Sequence, residues 1–115
     1  MRRRRYYSPS ELQDRGVEFN FEDIYKLRDL CFEKLGRKRI YIERRPRHAR
    51  IGATIYKRTD EDGEYFVIWF VQFNLETTAH ELAHAWEWDD GHGYQWHNLK
   101  DTIKSYWKEK KGELT

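Results

Sequence analysis

The hydrophobic pattern changes period at Asn74, and this junction constrains the fold more than any other feature of the chain. From Tyr65 to Phe73 the residues are nearly all β-branched or aromatic, which reads as a strand. Tyr65 to Val71 is apolar at successive positions, as in a strand covered on both faces. Beyond Asn74 the apolar residues fall at Leu75, Ala79, Leu82 and Trp86, one face of a helix. Asn74 is a good N-cap, and Glu76 lies in the first turn, where its charge suits the helix dipole. This helix is expected to end around Asp89-Asp90-Gly91.

The elements around the junction follow from the same rules. Ser8-Pro9-Ser10-Glu11 has the form of a helix start and opens a short helix that stops near Gly16. Ile24, Leu27, Cys31 and Leu35 recur at helical spacing, predicting a helix over Phe21 to Leu35 that Gly36 ends. Arg39 to Glu43 and Arg50 to Lys57 read as strands, and Asp60-Glu61-Asp62-Gly63 as the hairpin turn before the third. A last helix follows His92-Gly93. Trp96, Leu99, Ile103 and Trp107 form its buried face, and Lys104, Lys108, Lys110 and Lys111 favour its carboxyl end. The expected fold class is α+β: an N-terminal helix, a three-stranded, mostly antiparallel sheet, and two helices after it. A chain of 115 residues fits one domain, placed at 21–115 behind a basic N-terminal segment at 1–20. Five Trp, eight Tyr and six Phe supply a core despite 37% charged residues.

The net charge of +2 conceals an asymmetry. Residues 1–50 carry 15 Lys and Arg against 8 Asp and Glu, a net +7; residues 51–115 carry 7 against 12, a net −5. The basic half suggests an anionic partner such as DNA, bound through phosphates without reading sequence. Arg2 to Arg5, Arg37 to Arg39, Arg44, Arg45, Arg47 and Arg50 would form that surface away from the acidic turn at Asp60 to Glu64, with Tyr6 and Tyr7 able to stack on unpaired bases. The alternative is a solvated face that keeps an aromatic-rich protein in solution; His48 reads as an exposed member of that basic loop. Cys31, the one cysteine, excludes a disulfide framework and a four-cysteine zinc site, and reads as a core residue. Arg2 to Arg5 precede no apolar run, so no signal peptide is expected. No stretch approaches the ~20 apolar residues of a membrane span. A monomeric intracellular protein, cytoplasmic or nucleoid-associated, is expected.

The chemistry lies on the helix after Asn74. His80 and His84 are four residues apart, which brings both imidazoles to nearly one face. Two histidines so placed bind one zinc ion. Glu81 points about 100° around the helix, toward a water on the metal. There its carboxylate accepts a proton as the water attacks a peptide carbonyl, then passes it to the leaving amine. His92, between Gly91 and Gly93, is the best third ligand, because flanking glycines let the chain turn back over the helix. His97 is the alternative; Glu87 and Asp101 are poorer ones.

His80-Glu81-Leu82-Ala83-His84 followed by Gly91-His92-Gly93-Tyr94-Gln95-Trp96, behind a helix and three strands, resembles the SprT-like zinc metallopeptidases, the family that includes Spartan. The resemblance runs from Phe21 to Trp107. It implies a zincin-like fold, His92 as third zinc ligand, and endopeptidase action on proteins associated with or crosslinked to DNA. One cysteine cannot build the carboxy-terminal zinc ribbon of some relatives, so DNA contact falls to the basic half. The metzincins fit poorly: their third histidine follows sooner, and with Met1 as the only methionine there is no Met-turn. The competing class is a nucleic-acid-binding or structural protein whose zinc is not catalytic.

Overall fold

A computed structural model describes residues 17–46 and 52–113. The expected helix after Ser8, together with Arg2 to Arg5, Tyr6, Tyr7, Arg47, His48 and Arg50, lies outside the described residues.

The described chain runs α1 (Phe21–Leu35), β1 (Ile40–Arg44), β2 (Ala53–Asp60), β3 (Gly63–Phe70), α2 (Leu75–Trp86), a 3-10 turn (Trp88–Asp90) and α3 (Tyr94–Glu113). Local chemistry sets the ends of α1. Asn20 and Asp23 cap it reciprocally: the Asp23 N–H donates to Asn20 Oδ1 at 3.1 Å, and the Asn20 N–H to Asp23 Oδ2 at 2.9 Å. Gly36 terminates it at φ +100°, a conformation that costs glycine little. At the strand–helix junction, Asn74 Oδ1 accepts the Thr77 N–H at 2.7 Å, so the period change is a capped helix start. The helix stops at Trp86, and Trp88–Asp90 continue as a 3-10 turn.

The sheet is mixed, not mostly antiparallel. Its order is β1-β3-β2, with β1 parallel and β2 antiparallel to β3. Polarity explains the order. β3 is the most apolar strand and takes the centre, where both its edges are paired; β1 and β2 carry Arg, Lys and Glu and take the edges, where charge suits an open backbone.

The register puts Ile40 beside Phe66, Ile42 and Ile55 beside Ile68, and Ala53 beside Phe70 on one face. That face meets Ile24, Leu27 and Cys31 of α1, Leu75, Ala79 and Leu82 of α2, and Ile103 and Trp107 of α3 in one core. β3 is therefore not buried on both faces. Phe66, Ile68 and Phe70 are buried, whereas Tyr65, Val67 and Trp69 on the other face are half-buried and stand outside this core. Cys31 is in the core, and burial pushes its thiol up to about 12.

Two charges sit where sequence alone does not put them. Glu76 and Lys104 lie in the interior between α2 and α3, each about 5% exposed, together with Lys100. Lys100 Nζ donates to Glu76 Oε1 at 2.9 Å and Lys104 Nζ to Oε2 at 2.7 Å. Glu76 thus serves a buried ion triad more than a helix dipole, and Lys104 is not a solvent-facing charge of the helix end. Burial raises the Glu76 carboxyl, but the bonds from Lys104 and Lys100 outweigh burial and hold it below its ordinary value.

Arg39 is likewise not part of a basic surface apart from the acidic turn. Its guanidinium grips both Asp60 carboxylate oxygens, at 2.9 and 2.7 Å. That fork lowers the Asp60 carboxyl to about 2. Among the described residues no helix is long and apolar enough to cross a membrane.

Candidate metal centre

α2 presents His80 and His84 one turn apart, as their spacing requires. The chain then closes over them. After the 3-10 turn, Gly91 takes φ +60° and redirects the backbone, bringing His92 back to the helix. The His84 and His92 Nε2 atoms are 3.2 Å apart, and those of His92 and His80 3.4 Å. Ligand atoms of all three lie within 4.8 Å of one another. Imidazole binds zinc at ~2.0–2.1 Å, so two ligands of a tetrahedral ion stand about 3.3–3.4 Å apart. The two shortest spacings match that edge. Three ring nitrogens so close cannot all be satisfied by one another, since each N–H···N bond leaves the third nitrogen without a partner. A cation resolves the conflict, and the donor set fits one.

The His80 and His84 rings are held neutral. Burial, and then the neighbouring His84 and His92, lower His80 to about 4; burial, and then His92, lower His84 to about 4. Both therefore keep lone pairs at neutral pH, the form that binds metal.

Glu81 lies beside the group rather than in it, with Oε1 3.7 Å from His80 Nε2. It is 8% exposed, and burial raises its carboxyl to about 8. In the metal-free chain at neutral pH the contact joins a neutral imidazole and a protonated acid, so it is not an ion pair. A dication nearby would favour the carboxylate.

His97, the alternative third ligand, points away. Its side chain is 55% exposed on α3 and faces Asp101 at 3.6 Å. Glu87 caps the end of α2, and neither it nor Asp101 joins the histidine group. Among the described residues, the group holds three ligands.

Two further features surround it. Asp90 caps α3 from outside the helix, its Oδ2 accepting the Trp96 N–H at 2.8 Å. A β-carbon on Gly93 would lie 2.7–2.8 Å from that carboxylate, so the residue after His92 has to be glycine for the cap to stay. Trp96 packs against all three histidine rings. Its helical spacing marks it as buried, which it is, but the spacing gives no sign of what its indole touches.

No family model, curated protein or solved structure matches this chain.

Proposed function

We propose that this chain is a zinc-dependent endopeptidase, with His80, His84 and His92 as zinc ligands and Glu81 as general base. The observation that carries the reading is a buried carboxylate beside three converging ring nitrogens. A structural zinc site closes with four protein ligands, whereas a catalytic one keeps three and leaves a position open. Zinc, when bound, supplies a Lewis acid that polarises a carbonyl and acidifies water. The protein's own part is proton transfer. Glu81 accepts the proton of the attacking water and delivers it to the leaving amine, and its dry surroundings make it a stronger base than a solvated carboxylate. The resemblance of both motifs to the SprT-like peptidases points the same way.

The substrate class follows from the basic half: proteins associated with DNA. Among the described residues, Arg28, Arg37, Lys38 and Arg39 line a cavity of about 500 Å3 between α1 and β1, with Phe32 and Tyr41. Arg28 is engaged by Asp29 and by the Ile40 carbonyl, and Arg39 by Asp60. Among the described residues, Arg37 and Lys38 meet only rings, Phe32 and Phe66, and stay available to phosphate.

The test compares wild type with Glu81→Gln on casein and on the chain itself, followed by gel. Wild type is expected to cleave and Glu81→Gln to retain zinc but lose cleavage, since an amide accepts no proton. Equal cleavage by the two would leave the zinc site without this base and the mechanism without support.

A further inference from the structure

Trp96 differs from Trp86 and Trp107. Among the described residues the buried indole nitrogens of Trp86 and Trp107 have no hydrogen-bond partner, whereas that of Trp96 donates to the carbonyl of His80 at 3.2 Å. The Trp96 ring stacks on His84 at 5.1 Å and 21°, and meets His80 at 4.7 Å and His92 at 4.6 Å edge to face. One rigid side chain thus touches every ring of the histidine group. Two of those rings are on a helix and the third is on a loop.

The loop is tied to the same residue. The Trp96 backbone N–H is held by Asp90, and the Gly93 N–H by the Asp90 carbonyl at 3.0 Å. His92 lies inside the turn that both bonds close, between Asp90 and Gly93. The Trp96 side chain is fastened to α2 and its backbone to the turn, so it fixes the one distance that the helix cannot set, from His92 to the pair.

We infer that Trp96, locked by Asp90, is the positioning residue for the third ligand: it holds His92 against His80 and His84 before any metal arrives. This rests on the zinc reading above. A loop histidine free to swing would have to be ordered on binding, and the affinity would fall accordingly. Groups behind metal ligands typically contribute 10–100-fold to metal affinity.

Zn2+ affinity is measured by competition with a chelator for the full chain, together with the visible absorption of the Co2+-loaded protein, which reports ligand number and symmetry. Trp96→Leu removes both the ring stack and the indole N–H. It is expected to weaken Zn2+ about 10–100-fold and to alter the Co2+ spectrum. Trp96→Phe keeps an aromatic face and should restore most of the affinity and the wild-type spectrum. Asp90→Asn keeps the shape of the cap with a weaker acceptor and should lose affinity by less than Trp96→Leu. Trp107→Phe, remote from the site, should bind as wild type does. Folding of each variant is checked by circular dichroism. If Trp96→Leu does not fold, Asp90→Ala decides, and it is expected to weaken Zn2+ binding and alter the Co2+ spectrum. Wild-type affinity and spectrum in a folded Trp96→Leu, or failing that in Asp90→Ala, would overturn the inference while the zinc reading stands. A wild type that binds no Zn2+ would remove the zinc reading and this inference with it.

Discussion

At neutral pH a metal-free Glu81 keeps its proton, and His80 and His84 beside it stay neutral. Each condition makes stability depend on pH in the opposite sense. The folded state lowers His80 and His84 from 6.5 to about 4, so the unfolded chain binds those protons more readily; their contribution is present above 6.5 and is lost as pH falls toward 4. The folded state raises Glu81 from 4.5 to about 8, so its contribution is present below 4.5 and is lost as pH rises toward 8. Two groups against one make the metal-free protein most stable near pH 6.5. Melting temperature measured across pH 4–8 should peak there, and Glu81→Gln should remove the decline on the alkaline side. A Glu81→Gln profile identical to that of wild type would mean that Glu81 titrates normally. Much of this site is legible residue by residue. The spacing of His80, Glu81 and His84, and the glycines around His92, identify the histidines that converge. The Trp96 contacts are not legible, because they join residues 16, 12 and 4 positions apart across two helices and a loop.

Between elements, a buried polar link joins α2 to α3 through Glu76, Lys100 and Lys104. Breaking a buried ion group costs more than the group contributes, because the orphaned charge stays desolvated. Glu76→Ala removes the carboxylate that both ammonium groups share, leaving Lys104 its contact with Asp101 at 3.6 Å, and should cost about 3–5 kcal/mol in denaturant melts. A loss within about 0.5 kcal/mol, the range of surface changes, would show that water reaches the lysines. The triad also shows where reading from sequence stops. The bounds of α1 and the Asn74 cap depend on residues within one turn of each other, so the local pattern contains them. The sheet order depends on β3 displacing β2 from beside β1, a competition between strands that no single strand records. Glu76 and Lys104 each look like ordinary helix-end charges until the helices that carry them are packed together.

For the molecule as a whole, the basic half and the histidine group make separable claims. If Arg37 and Lys38 hold phosphates, DNA binding should be salt-dependent and indifferent to sequence, and the double variant Arg37→Ala/Lys38→Ala should reduce the slope of log K against log salt by about 1.4–1.8. Labelled single- and double-stranded DNA titrated at several salt concentrations reads that slope. No affinity even at low salt would leave a peptidase whose substrate is chosen in another way. The central claim concerns the histidines, and metal content tests it most directly. Purified wild type, equilibrated with Zn2+ and dialysed, should retain one zinc per chain by elemental analysis. His92→Ala, treated alongside, should retain far less, and His97→Ala as much as wild type. No zinc in wild type, or as much in His92→Ala as in wild type, would contradict the account.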